Sequence, residues 1–176
     1  MKEKIAFRKL TEDDLPLMHT WLNKKLVIDN YSKGPLDVES IKKKYISRID
    51  GKDPTPPYLM LYEGKPIGFI QAYKLSDYPE FTSHLKDLIK LDDTAAIDLF
   101  IGEEEFLGKG LGPLFIKKFS EEIIFKEMGC SKSLGCPSTE NKPSIRAFEK
   151  AGFKYLKTIY NPKDKFYEYV LCLTSQ

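Results

Sequence analysis

The chain has 176 residues, enough for one domain with a sizeable core. Its 28 basic and 26 acidic residues nearly cancel to +2, which argues against a dedicated nucleic-acid binder. The apolar stretches are too short and interrupted to span a membrane, and Met1-Lys2-Glu3-Lys4 lacks the apolar core of a secretory leader.

With 3 cysteines, no Cys-x-x-Cys pair and 2 histidines, the composition favours reduced cytoplasmic thiols and no metal site. No internal repeat or low-complexity tract is visible. Ile5 to Leu10 reads as a first strand. Thr11 caps a helix with Glu12, Asp13 and Asp14 in its first turn, and Leu15, Met18, Trp21 and Leu22 share its apolar face. Asp37 caps a second helix carrying Val38, Ile41, Tyr45 and Ile49, with Lys42-Lys43-Lys44 on its solvated face. Asp53-Pro54-Thr55-Pro56-Pro57 ends that pattern. Tyr58 to Tyr62 and Pro66 to Lys74 form two strands joined at Glu63-Gly64-Lys65. Residues 76–94 make a long polar connection with a short helix near Leu85 to Ile89, and a connection of this length is often functional.

A strand from Ala95 to Ile101 follows, and then a loop with Gly108, Gly110 and Gly112 opens a helix with Pro113 in its first turn. That helix carries Ile116, Phe119, Ile123 and Met128 on one stripe and stops at Gly129. Ser131 to Cys136 is a strand, and Asn141 to Ala151 a helix with Ile145 and Phe148 facing inward, stopped by Gly152. Phe153 to Tyr160 and Lys165 to Leu173 close the chain as an antiparallel pair. The fold class is α/β, an α+β mixed sheet with helices on both faces, in a single domain over 1–176.

The glycine loop is the most telling feature. Its backbone can approach a ligand closely, and the helix behind it offers free N–H groups and a positive dipole end, a site suited to phosphate or pyrophosphate. A dinucleotide site needs Gly-x-Gly-x-x-Gly after a first strand, whereas here the spacing is Gly-x-Gly-x-Gly past the middle of the chain. A nucleoside-triphosphate loop needs Ser or Thr after Gly-Lys, whereas Gly110 follows Lys109. Tight turning alone is the third explanation of such a loop.

Leu107-Gly108-Lys109-Gly110-Leu111-Gly112 resembles the acetyl-CoA loop of the GNAT superfamily, Q/R-x-x-G-x-G/A, at Gly110 and Gly112, and departs from it at Leu107. Asn141, Ser144, Glu149, Lys150, Gly152 and Phe153 match a second family segment, N-x-x-A/S-x-x-x-Y-E-K-x-G-F, with Phe148 in the tyrosine place. Leu15 to Asn23, Pro66 to Gln71, Ala96-Ile97-Asp98 and Ile145 to Phe153 are similar to segments of the aminoglycoside 6'-N-acetyltransferases. The resemblance covers nearly the whole chain. It implies the GNAT fold, with a central, mostly antiparallel mixed sheet, and an N-acetyltransferase that uses acetyl-CoA as co-substrate.

By that resemblance, backbone N–H groups of Leu107, Gly108, Lys109, Gly110, Leu111 and Gly112 hold the CoA pyrophosphate, and Lys109 adds a charge. Leu99, Phe100 and Ile101 pair with the pantetheine arm, Asn141 hydrogen-bonds it, and Phe148 packs around the thioester. Asp98 contacts the acceptor amine, either as its base or to position it. Asp77, Trp21 and Tyr73 border the acceptor, with Tyr31 and Tyr78 in the same aromatic set. Phe148 has no proton for the leaving thiolate, so another group gives it, the thiolate leaves unprotonated, or activity is weak.

The implied partner is a small-molecule amine, with no nucleic acid and no membrane, for a monomer or homodimer. An aminoglycoside 6'-amine leads, and a polyamine, lysine or siderophore precursor is the alternative, as is a non-catalytic acyl-CoA-binding module. Cys136-Pro137 and Leu99 stand where the aminoglycoside enzymes often carry aspartate-proline and glutamine, which leaves acetyl transfer better supported than that acceptor.

Overall fold

The structure, a computed structural model, describes residues 4–175, so Met1, Lys2 and Glu3, weighed above for a leader, lie outside it. Short-range chemistry starts the first elements. After strand β1 (Ile5–Lys9), Thr11 and Asp14 cap each other: the Thr11 N–H donates to Asp14 Oδ2 at 2.8 Å and the Asp14 N–H to the Thr11 carbonyl at 3.1 Å. Arg8 grips the same carboxylate with two bonds, at 2.9 and 2.8 Å. One 3₁₀ turn, Glu12–Asp14, then leads into helix α1 (Leu15–Leu22). Asp37 accepts from the Ser40 N–H at 2.7 Å and starts helix α2 (Val38–Ile49).

Strands β2 (Pro57–Tyr62) and β3 (Lys65–Lys74) meet at a two-residue turn. Glu63 and Gly64 both sit at positive φ, 49° and 80°, which suits the right-handed twist of a hairpin. The polar connection folds as single helical turns, Leu75–Asp77, Pro79–Thr82, Ser83–Leu85 and Leu91–Asp93. The helix expected near Leu85 to Ile89 is thus reduced to one turn ending at Leu85, anchored by buried Leu85 and Ile89. Then come β4 (Thr94–Ile101), helix α3 (Leu111–Phe119) continuing as a π-type segment through Ser120–Glu127, β5 (Lys132–Gly135), helix α4 (Lys142–Lys150), β6 (Lys154–Asn161) and β7 (Phe166–Thr174).

The seven strands form one mixed sheet in the order β1-β2-β3-β4-β5-β7-β6. The pairs β1/β2, β2/β3, β5/β7 and β6/β7 are antiparallel, while β4/β5 is parallel over Thr94–Ala96 with Lys132–Leu134. Among the described residues no helix is long and apolar enough to cross a membrane.

The chain divides into two compact units. One runs to Gln71 and takes in Asp98–Leu111, and the other comprises Ala72–Ile97 and the chain from Gly112 onward. The first unit's core joins Met18, Trp21 and Leu22 of α1 and Ile41 and Tyr45 of α2 to Leu59, Phe69 and Phe100 of the strands. The second unit's core includes Leu75, Leu85, Ile89, Ala96, Leu134 and Val170. Phe115 and Ile124 are buried beside Ile116, Phe119 and Ile123, so the buried stripe of the long helix is wider than the sequence spacing indicated.

The Asp14 carboxyl sits below its usual range: burial pushes it up, but Arg8 and Thr11 outweigh that. Its contribution is therefore present above the ordinary carboxylate range and lost as pH falls through it. Asp14→Ala should cost about 1–2 kcal/mol at neutral pH by thermal denaturation. The difference from the parent should shrink in acid.

Candidate active site

The end of β4 is held from the core. Trp21 Nε1 donates to Glu103 Oε1 at 2.9 Å, and Lys24 Nζ donates to the Gly102 carbonyl at 2.7 Å. The backbone N–H groups of Gly102 and Glu103 both donate to Ile67 O, at 2.9 and 3.1 Å. Trp21, weighed above at the acceptor, is fully buried and braces the strand end. Beyond this anchor Leu107, Gly108, Lys109 and Gly110 are exposed.

Gly108 and Gly110 lie at φ 71° and 75°, and a Cβ built on either would meet nothing within 4 Å. Their need for glycine is conformational, and the space beside them is open. Lys109 Nζ lies 5.4 Å from the centroid of the Phe106 ring, so here its charge rests on that ring. Leu111 begins α3, with Gly112 and Pro113 in the first turn.

Asp98 is half-buried and accepts at Oδ2 from Gln71 Nε2 at 3.0 Å. Arg48 Nη1 donates to Gln71 Oε1 at 2.8 Å, and Arg48 Nε lies 3.5 Å from Asp53 Oδ2. Tyr31 and Tyr45 pack on the same aromatic core, Tyr31 edge-on to Phe100 at 4.9 Å and Tyr45 edge-on to Phe69 at 5.5 Å. Burial pushes both phenols far above the ordinary tyrosine range, and the nearby Asp98 charge adds to it. Both hydroxyls therefore stay protonated at ordinary pH. Lys44 Nζ lies 5.7 and 5.3 Å from the centroids of these two rings.

The sequence pattern did not single out Arg48 and Gln71, which stand in series with Asp98. Lys42, Lys43 and Lys44 are all exposed, as expected of the solvated face, and the Lys44 ammonium lies near the Tyr31 and Tyr45 rings. The signal was available: Ile41, Lys44, Tyr45 and Arg48 follow the i, i+3, i+4, i+7 rule for one helical face.

In the second unit, Asn141 is the N-cap of α4, its side-chain oxygen accepting from the Ser144 N–H at 3.2 Å. Phe148 is buried edge-on to Phe153, with centroids 5.0 Å apart, and lies under Gly135, where an added Cβ would meet its ring at 2.5 Å. Asp77 is exposed, and Tyr73 is half-buried edge-on to Tyr78 at 5.5 Å. Asp93, from the polar connection, accepts from the Ser131 N–H at 2.8 Å. Cys130 and Cys172 are buried, and burial pushes both thiols up, away from the thiolate.

Strand β4 runs into a glycine loop whose open flank suits a phosphate-bearing ligand. The particular family follows from comparison: the chain belongs to the acetyltransferase (GNAT) domain family, whose model matches residues 11–160. It is 26% identical to the aminoglycoside N(6')-acetyltransferase type 1 of Klebsiella pneumoniae over 163 residues, 91% of this chain and 79% of that protein. The same figures hold for the aminoglycoside N(6')-acetyltransferase type 1 of Serratia marcescens. Its fold superimposes on AAC(6')-Ib in complex with ribostamycin and coenzyme A with a TM-score of 0.87, at 24% identity, covering 98% of this chain and 94% of that one.

Gly135→Ala should destabilise the protein by about 1–3 kcal/mol, because the new methyl group must displace a packed ring. Adding Phe148→Leu should recover part of that loss in thermal denaturation. No loss from Gly135→Ala would contradict the packing described.

Proposed function

We propose that this chain transfers the acetyl group of acetyl-CoA directly to a primary amine. The observation that carries this reading is at the donor side. β4 pairs with β5 only through Ala96, while Leu99–Ile101 continue as strand and lead to an open glycine loop at a helix start. A pantetheine arm would add itself to Leu99, Phe100 and Ile101 as an extra strand. The N–H groups from Leu107 to Gly112 would hold the pyrophosphate, with Lys109 swinging from Phe106 to add its charge. The Asn141 oxygen is occupied in capping, so its amide NH₂ is the group offered to pantetheine.

At the acceptor, Asp98 would receive the amine as an ammonium and orient it. The ammonium gives one proton to water, its nitrogen attacks the thioester carbonyl carbon, the C–N bond forms, the nitrogen passes a second proton to water, and the C–S bond breaks. The electron pair leaves on sulfur, and the thiolate takes its proton from water, since Phe148 has none to give. No protein thiol takes part in this route.

The names of the relatives make an aminoglycoside 6'-amine the leading acceptor to assay. A polyamine, a lysine side chain and a siderophore precursor follow, as does binding without turnover. We further propose a single catalytic domain over 1–176, working in the cytoplasm as a monomer or homodimer on a small molecule, with no nucleic acid or membrane partner. Asp77 and Tyr73 remain candidates for its acceptor side.

Purified protein should release CoA thiol when given acetyl-CoA and a member of an amine panel containing kanamycin, spermidine and a lysine peptide. Silence with every amine would sink the enzymatic claim. Asp98→Asn should lower turnover at least about a hundredfold while leaving acetyl-CoA affinity nearly unchanged. Gly110→Val should instead abolish acetyl-CoA binding in calorimetry, since a side chain would enter the open space and strain a positive φ. Full activity in Asp98→Asn would show the acceptor assignment to be wrong.

A further inference from the structure

Asp98 does not stand alone on β4. Its Oδ2 accepts from Gln71 Nε2 at 3.0 Å, from the neighbouring strand β3. Gln71 is only 4% exposed, so both ends of its amide need partners within the chain. The other end, Oε1, accepts from Arg48 Nη1 of α2 at 2.8 Å. Behind it, Arg48 Nε lies 3.5 Å from Asp53 Oδ2, and Asp53 Oδ1 accepts from the Thr55 N–H at 2.9 Å. Thr55 is itself buried. The Asp53-Pro54-Thr55-Pro56-Pro57 break thus anchors one end of a series whose other end is Asp98.

Residue chemistry lets this series be built in only one sense. A guanidinium only donates, and an ionised carboxylate only accepts. An amide set between them must turn its oxygen to Arg48 and its NH₂ to Asp98. Flipped, it would set N–H against N–H and oxygen against oxygen. Arg48 therefore fixes the amide, and the amide fixes one oxygen of Asp98. The amide carries no net charge, so the guanidinium orients the carboxylate from a distance and makes its ion pair with Asp53 instead. A guanidinium directly against Asp98 would neutralise the charge that an incoming ammonium needs. Asp98 also has the Tyr31 phenol and, from α2, the Lys44 ammonium and the Tyr45 phenol within reach of its charge.

We infer that Gln71 and Arg48 are positioning residues for acetyl transfer: Arg48 locks the Gln71 amide, and the amide aims Asp98 at the acceptor nitrogen while keeping the guanidinium off it. This rests on the acetyl-transfer reading for Asp98 and deepens it. Neither residue touches the acceptor, and Arg48 acts only through Gln71.

Carbon-13 NMR titration of the Asp98 carboxyl, in the protein without acetyl-CoA, tests the first link. Gln71→Met keeps the volume and removes the N–H that favours the ionised carboxylate, so Asp98 should titrate about one pH unit higher than in the parent. Gln71→Glu keeps the shape and the contact with Arg48 but sets a second carboxylate against Asp98. The upper titration step of that pair should lie higher still. An Asp98 titration unmoved in both variants would overturn the proposal.

The second link is read by thiol release with whichever amine of the panel turns over. Arg48→Met should lower kcat/KM for the amine about tenfold with the KM for acetyl-CoA unchanged, and Arg48→Lys should retain most of the parent value. In the Gln71→Met background the same Arg48→Met change should cost less than about twofold. An equal loss in both backgrounds would mean a direct charge effect and would also overturn the proposal. The acidic limb of the pH profile of kcat/KM should move up in Gln71→Met together with the carboxyl titration. Asp98→Asn separates this inference from the reading beneath it. Full turnover in Asp98→Asn with a shifted titration in Gln71→Met would end the reading of Asp98 and keep the control of its carboxyl by Gln71. Lost turnover in Asp98→Asn with an unmoved titration would do the reverse.

Discussion

Strand β4 pairs with its parallel neighbour for only three residues. Thr94, Ala95 and Ala96 match Lys132, Ser133 and Leu134, and the ladder then stops while β4 runs on to Ile101. Backbone amides and carbonyls cannot be left without partners at low cost. A strand that outruns its ladder therefore invites an extended ligand to complete it. The Trp21 and Lys24 bonds to Glu103 and Gly102 fix where that strand ends, and so where the glycine loop begins. Donor binding in this account depends on that early end of pairing more than on any side chain.

On the acceptor side a chain of polar contacts does the comparable work. Asp53, Arg48, Gln71 and Asp98 are linked in series by contacts of 3.5, 2.8 and 3.0 Å. Each link is partly buried, where hydrogen bonds to charged groups are strongest. Asp98 is thereby held to one orientation.

Much of this was legible in the sequence, for physical reasons that can be named. The strands and helices came from periodicity and from caps such as Thr11 and Asp37, whose bonds form as their residue types suggest. Gly108 and Gly110 adopt the positive φ that their identity permits. What was not legible depends on three-dimensional packing. How Trp21 packs under the strand end and Phe148 under Gly135 cannot be read from a linear motif. Arg48 gains its meaning only once α2 brings it to Gln71. Gln71 gains its meaning only once β3 lies beside β4 and brings it to Asp98.

Amide hydrogen exchange, with and without acetyl-CoA, tests the central claim about β4 most directly. The amides of Leu99 to Ile101 and of Gly108 to Gly112 should slow when acetyl-CoA is added and be unaffected by ATP or NAD. Unchanged exchange at Leu99 to Ile101 with saturating acetyl-CoA, or equal slowing with ATP, would contradict it.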